Sequence, residues 1–378
     1  MTQHLTPPSI SLFDLIARSW ELGSEIIDVQ FNVIGSSVAV TLADGTLAFL
    51  GVKDGEDPET RMRTEADTGR VTIRPRTKPL PVPVRSDGAI ADPDTGLCQV
   101  AQQGFAFAHR DGQEIWRATA KGLTLRVAKA KDAQVTALSA LPGKRGLLVA
   151  RGRSLEVMSP ENAESLGSAE LAHDIRHIAL SPGADRLACW GSGHLTILAT
   201  DGLSPVADIA ADGALTGLRW SPDERWLVGG CADKALLLVD VAKGQADRIE
   251  GFPAPIASVD FSRKAEAMIS SGAFRVVGWR MPDLPFGEHP GLPVETGKPG
   301  LTVVETVAAH PMRDLCAVGY ANGLITICQI GKREEMMLRE GGGDPVNALA
   351  WSPDGNHLAI GTGKGKAEIV TFPKAMFK

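Results

Sequence analysis

Two short segments carry residue types that could do chemistry. His173 and His177 lie four residues apart, and paired histidines can ligate a metal ion. If this segment is a strand, the two side chains share a face but stand about 13 Å apart, too far to bind one ion. No Cys, Asp or Glu of matched spacing completes a ligand set. We therefore interpret the pair as one loop histidine and one strand histidine, and we predict no metal site.

The second segment is the glycine-rich run GTGKGK at residues 361–366. A phosphate-binding loop needs the pattern GxxxxGK[ST] between a strand and a helix, so that backbone N–H groups meet the phosphate. Here the run lies between two strand-like segments and reads as a hairpin turn. The chain also has no GxSxG nucleophile motif. We therefore predict no catalytic residue and no cofactor.

The elements that position these residues belong to an internal repeat. Residues 346–362 read VNALAWSPDGNHLAIGT, a run with alternating apolar residues, a Ser-Pro-Asp-Gly turn and a second apolar run. The same line recurs as LTGLRWSPDERWLVGGC from Leu215 and as IRHIALSPGADRLACWG from Ile175. The repeats start near residues 26, 86, 135, 175, 215, 256, 304 and 346. A unit of roughly 40–45 residues is typical of a four-stranded propeller blade.

The last repeat predicts how the ring closes. It ends after its third strand, near Phe372, and an open strand edge needs a cover. Residues 12–22 lie just before the first repeat and are predicted to supply the missing fourth strand. The alternative is an amphipathic helix over residues 10–22, because Phe13, Ile16 and Trp20 also fall at helical spacing.

The repeats resemble the WD40 family from about residue 12 to residue 374. The resemblance is carried by the Ser-Pro-Asp-Gly turn and by the small residues of the second strand. The family's Trp-Asp pair is missing, with Val239-Asp240 as the nearest trace, and so is its Gly-His pair. The resemblance implies an all-β propeller with eight four-stranded blades by repeat count, seven being the alternative. Residues 1–378 then form one propeller domain, with proline-rich insertions at 51–85 and 281–303.

Composition narrows the functional class. The net charge of −6 and the pI near 5.8 argue against a nucleic-acid platform. The five cysteines form no CxxC pair, which indicates reduced, buried thiols. No run approaches 18 apolar residues, and residues 1–10 lack a signal-peptide pattern. We expect a cytoplasmic protein that is monomeric by itself and binds neither membrane nor nucleic acid.

The resemblance also predicts a binding surface. In a WD40 propeller the turns between second and third strands lie on the top face, around the mouth of the channel. Trp, Tyr and Arg there suggest a binding hot spot, although Trp190 and Tyr320 could instead fill space. We predict a non-catalytic scaffold that binds a protein partner through this face. A propeller enzyme, or a small-ligand or metal-binding protein that uses the channel, is the alternative. The candidate residues are Tyr320, Trp190, Arg151, Arg153, Gln103, His194, Arg275, Asn322 and Lys364.

Overall fold

A computed structural model describes residues 10–68, 70–100, 104–129, 132–142, 146–374 and 376–377. Within these residues the strands form eight antiparallel sheets arranged as the blades of a propeller, together with one two-stranded hairpin. In most blades, strands that follow one another along the chain are hydrogen-bonded neighbours; the outer strand of blade 8 comes from the N-terminal segment, and a hairpin precedes the outer strand of blade 1. The count of eight blades from the repeats is confirmed.

The blades are numbered along the chain, and their strands run from the channel outward. Blade 1 consists of Ile26–Phe31, Ser37–Leu42, Leu47–Gly51 and Val84–Ser86, and blade 2 of Leu97–Val100, Gly104–Ala108, Ile115–Ala118 and Thr124–Ala128. Blade 3 consists of Ala137–Leu141, Gly146–Arg151, Ser154–Met158 and Ser165–Glu170, and blade 4 of His177–Leu180, Arg186–Gly191, His194–Ala199 and Pro205–Ala210. Blade 5 consists of Leu215–Trp220, Trp226–Cys231, Leu236–Asp240 and Gln245–Ile249, and blade 6 of the three strands Val259–Ser262, Ala267–Ser270 and Val277–Arg280. Blade 7 consists of Val304–Ala309, Leu315–Tyr320, Ile325–Gln329 and Glu335–Arg339, and blade 8 of Val346–Trp351, His357–Thr362, Lys366–Thr371 and Ala17–Glu21.

The Ser-Pro-Asp-Gly turn forms because its serine bonds to the chain on both sides. In blade 8 the Ser352 hydroxyl donates to Asp354 at 2.6 Å and accepts the backbone N–H of His357 at 2.9 Å. Ser221 accepts the N–H of Trp226 in the same way at 2.9 Å. The side chain thus satisfies the first N–H of the second strand and fixes the reversal.

The ring closes through the N-terminal segment, as predicted. Ala17–Glu21 pairs antiparallel with Lys366–Thr371, with Trp20 opposite Ala367. The five residues before this strand, Leu12–Ile16, form one helical turn capped by Ser11. The helical alternative therefore holds for this first half only. Trp20 also donates its indole N–H to the Pro81 carbonyl at 2.9 Å, which fastens the first insertion to the closing strand.

Blade 2 corrects the sequence interpretation. Its inner strand is Leu97–Val100, whereas the repeat was placed near Ser86. The Asp-Pro-Asp-Thr-Gly segment that resembled a first turn instead forms the short helix Pro93–Gly96, which precedes the inner strand. Cys98 consequently lies in an inner strand. All five cysteines are free and buried.

Both insertions lie around outer strands, as expected from their prolines. Residues 51–85 hold the helix Pro58–Arg61 and the hairpin of Met62–Thr64 with Val71–Ile73, before the outer strand of blade 1. The second insertion, 281–303, takes the place of an outer strand in blade 6. It pairs with blade 6 through two isolated bridges, Val276 with Thr296 and Trp279 with Pro293, and a third bridge, Phe286 with His289, lies within the insertion.

Apolar clusters between neighbouring blades form the core. One cluster joins blades 8 and 1 through Ile26, Val29, Val40 and Ile369. Indole hydrogen bonds reinforce two other junctions. In one of them Trp220 donates to the carbonyl of Ala179 in the preceding blade at 2.9 Å. Among the described residues, no helix is long and apolar enough to cross a membrane.

Candidate partner-binding surfaces

The antiparallel order of the strands gives the ring two unlike faces. Turns between first and second strands lie on one face, here called the first-turn face. Turns between second and third strands lie on the opposite, second-turn face. The linkers between blades run beside the second turns, as the N–H of Ala211 donating to Gly193 at 2.8 Å shows. The second-turn face is the one that the sequence predicted as the binding surface.

Three of the predicted contact residues on the second-turn face are buried. The side chains of Tyr320, Trp190 and Arg151 are only 5%, 7% and 8% exposed. The expectation that these residues are exposed for binding is wrong. Trp190 donates its indole N–H to the carbonyl of Ala211 at 2.8 Å, and its ring lies 5.4 Å from that of His177. It therefore ties blade 4 to the linker that enters blade 5.

Tyr320 packs into the apolar cluster that joins blades 6 and 7, with Ile269, Val304 and Val318. Burial raises the pKa of its phenol to about 12, because the charged form would lie in a poorly solvated place. Tyr320 therefore fills space between blades, the alternative already open for this residue.

Arg151 stabilises the second-turn face from within by hydrogen bonds to backbone carbonyls. Its guanidinium donates to the carbonyl oxygens of Ala133 at 2.5 Å, Gln113 at 3.1 Å and Gly112 at 3.4 Å. Two of these carbonyls belong to the second turn of blade 2, and the third belongs to the linker into blade 3. Arginine suits this role because its planar fork carries five donors. The residue joins blades 2 and 3.

The other candidates keep some exposure on the second-turn face. His194 is exposed, with its ring 6.0 Å from that of His173. Arg275 pairs with Glu295 at 3.8 Å. Gln103 falls outside the described residues. Three further residues of the predicted binding surface are exposed: Arg153, Asn322 and Lys364. These residues are polar, and their role in binding stays a prediction.

The channel is lined by inner strands and encloses a cavity of about 680 Å³. Its described lining is mostly apolar or small and polar, and the carboxylates in it are Asp28 and Asp260. Asp260 accepts the backbone N–H of Ala309 at 2.8 Å, so it links blades 6 and 7. Cys98 also lines the channel, and burial raises the pKa of its thiol to about 12.

A cleft of about 390 Å³ opens on the first-turn face at blades 4 to 6. It shares Leu218, Arg219 and Asp260 with the channel, so it is one side of the channel mouth. The Arg219 side chain is 64% exposed and lies 3.9 Å from Asp260. Arg263 lines the same cleft and is exposed. This side of the mouth is rich in arginine.

On the other side of the mouth, the first turns of blades 7 and 1 expose three apolar side chains. Met312, Ile34 and Val33 are 60%, 48% and 45% exposed. The first turns of blades 1 and 8 pack closely against each other. A Cβ atom added at Gly35 would lie only 3.1 Å from the Pro353 ring. We call Val33, Ile34, Arg219, Arg263 and Met312 together the first-turn rim.

The first-turn rim was not predicted from the sequence, although the repeats carry a signal for it. Ile34 and Met312 occupy the turn position at which the last repeat has Asp354. Aspartate is favoured there because its side chain bonds to the turn backbone, as Asp354 does with the N–H of Asn356 at 3.1 Å. An exposed apolar residue in this position gives up that bond and gains no burial.

Comparisons with known proteins agree with this architecture. Residues 307–376 match the family model of the anaphase-promoting complex subunit 4 WD40 domain. Residues 204–240 match the WD domain, G-beta repeat. Among solved structures, a chain of the mitotic checkpoint complex is similar with a TM-score of 0.55 and 14% identity, over 75% of this chain and 90% of that one. The computationally designed Ika8 protein is similar with a TM-score of 0.63 and 16% identity, over 93% and 98%. At these identities the structural likeness concerns the fold alone.

Proposed function

Because this chain is a WD40-repeat β-propeller, we propose that it is a non-catalytic scaffold that binds another protein at the first-turn rim. The observation that carries the proposal is the exposure of Met312, Ile34 and Val33 beside the channel mouth, opposite Arg219. Methionine and arginine are among the residue types enriched at protein interfaces, and exposed apolar side chains gain from burial against a partner. By contrast, Trp190 and Tyr320 on the second-turn face are buried in contacts between neighbouring blades.

The comparisons support an interaction role. One matched family model describes a subunit of the anaphase-promoting complex, and one similar structure is that of the mitotic checkpoint complex. Both names describe proteins within multi-protein assemblies. A rigid ring with short turns suits such a role, since little order has to be gained when a partner docks.

The competing class is an enzyme or a small-ligand binder that uses the channel. The channel lining offers little for it, because one of its two carboxylates, Asp260, already bonds to the backbone of the next blade. A thermal-shift screen of metabolites separates the classes. A ligand that stabilises the protein, and whose effect is lost on changing Gln99 or Asp28 in the channel, would favour this alternative.

The test of the scaffold proposal compares the two faces. A partner is first captured from a native extract with the full chain, and its affinity is then measured with purified proteins. Changing Met312 and Arg219 together to Ala is expected to weaken binding by roughly 1–4 kcal/mol. The matched control changes Arg153 and His194 to Ala on the second-turn face and is expected to leave binding intact. The opposite result would return the binding surface to the second-turn face.

A further inference from the structure

We propose that the second turn of blade 2 binds a divalent metal ion, with Zn²⁺ as the best match, through His109, Asp111 and Glu114. Each of these side chains offers one ligand atom, and the three atoms lie within 4.8 Å of one another. An imidazole with two carboxylates is a donor set that zinc accepts, and water would complete a tetrahedral site. The site is independent of the first-turn rim.

His109 supplies the strongest observation. Its Nδ1 atom is shielded from solvent and has no hydrogen-bond partner. The oxygen of Asp111 lies 3.9 Å away, which is beyond hydrogen-bond distance. A buried, unsatisfied ring nitrogen is rare and calls for an explanation. A metal ion between the nitrogen and the two carboxylates satisfies it.

The imidazole is held in place by its neighbours. Its ring stacks on that of Trp116 with centroids 5.1 Å apart and planes 23° apart. On the other side it packs so closely against Gly88 that a Cβ there would lie 2.6 Å from Nε2. The backbone N–H of His109 also donates to the Glu114 carbonyl at 3.0 Å. The turn therefore fixes the direction of Nδ1 before any ion binds.

The carboxylates are oriented by hydrogen bonds. Asp111 accepts the backbone N–H of Gln113 at 2.9 Å. Glu114 accepts the indole N–H of Trp116 at 2.9 Å and a guanidinium N–H of Arg126 at 3.0 Å. Outer partners of this kind orient metal ligands and tune the site.

Little movement is needed to reach coordination distances. Ligand atoms about 2.0–2.2 Å from one zinc ion lie about 3.3–3.6 Å apart in a tetrahedral site, so shifts of about 1 Å suffice. The Asp111 side chain is 51% exposed, so no packed side chain blocks a small shift toward Nδ1, and its hydrogen bond from the Gln113 N–H has to adjust with that shift. The turn that would be clamped is the one whose carbonyls, at Gly112 and Gln113, receive the Arg151 guanidinium. Metal binding would thus stiffen the junction of blades 2 and 3.

The test uses the full chain without a histidine tag, stripped with a chelator. Calorimetric titration with zinc sulfate is expected to show one equivalent bound, and the melting temperature is expected to rise. His109→Gln and Asp111→Asn should each weaken zinc binding about tenfold or more. Asp111→Asn is a mild change at an exposed position, so it tests the site even if His109→Gln folds poorly.

A matched control changes His289, an exposed histidine in the second insertion, to Gln. It should bind zinc as the wild type does. The proposal is overturned if the wild-type chain binds no zinc. It is equally overturned if Asp111→Asn binds zinc normally, or if His289→Gln loses as much affinity as His109→Gln.

Discussion

The two faces of the ring use their large side chains in opposite ways. On the second-turn face, Trp190 and Arg151 turn inward and donate to carbonyls of neighbouring turns and linkers. On the first-turn face, Ile34, Met312 and Arg219 stay exposed at the channel mouth. The buried Trp190 and Arg151 strengthen the contacts between blades, whereas the residues of the first-turn rim stay exposed and available to a partner.

The difference follows from where the linkers run. Each linker passes beside the second turn of the blade before it, so it places backbone carbonyls within reach of side chains there. A Trp or Arg at that place finds an acceptor close by and becomes buried. A first turn has no linker beside it, and its own serine and aspartate satisfy the backbone. His310 in the first turn of blade 7 is nevertheless buried and donates to the Gly355 carbonyl of blade 8, whereas Ile34 and Met312 have no such contact and stay exposed.

The largest expected effect comes from opening the ring, since the comparison of faces requires a closed ring. Deleting residues 1–23 removes the strand Ala17–Glu21 and uncovers the edge of Lys366–Thr371. It also removes buried Phe13, Ile16 and Trp20 from the core. We expect aggregation and the loss of cooperative unfolding, because an uncovered apolar edge pairs with other chains. Light scattering measures the aggregation, and calorimetry measures the cooperativity of unfolding.

The control for this deletion removes residues 1–9 only and leaves the closing strand and its helical turn in place. This shorter deletion should keep the wild-type melting temperature. A soluble 24–378 chain that unfolds at the wild-type temperature would show that the closing strand contributes nothing to the ring.

The next largest effect is the difference in unfolding free energy between alanine substitutions on the two faces. Changing Trp190 or Tyr320 to Ala should each cost about 3–5 kcal/mol of unfolding free energy, since a buried aromatic side chain leaves a cavity. The matched change on the other face, Met312→Ala, should stay within about 0.5 kcal/mol because its side chain is exposed. Denaturant unfolding of the three variants compares them. Equal effects of Tyr320→Ala and Met312→Ala would remove the distinction between the faces.

The sequence predicted the fold better than the site, for physical reasons. The Ser-Pro-Asp-Gly turn and the period-two runs are local signals, so the blades and the closing strand could be inferred. The helix Pro93–Gly96 misled the placement of blade 2, because proline and aspartate begin a helix as readily as a turn. The burial of Trp190 depends on a linker from the next blade, and strand periodicity carries no information about that neighbour.

The smallest effect concerns the protonation of Tyr320, the single tyrosine of the chain. Burial raises the pKa of its phenol from 10.0 to about 12. The folded state therefore favours the neutral phenol. This contribution to stability is fully present below the ordinary pKa near 10, and it is lost as the pH rises through about 12.

Because no other tyrosine absorbs, a pH jump followed by an immediate reading of tyrosinate absorbance reports this one side chain before the protein unfolds. A midpoint near 12 in the folded protein, falling to about 10 in denaturant, would place the phenol inside the contact between blades 6 and 7. A folded midpoint near 10 would mean that water reaches the phenol. Tyr320 would then belong with the exposed residues of the second-turn face, and the contrast with the first-turn rim would rest on Trp190 and Arg151 alone.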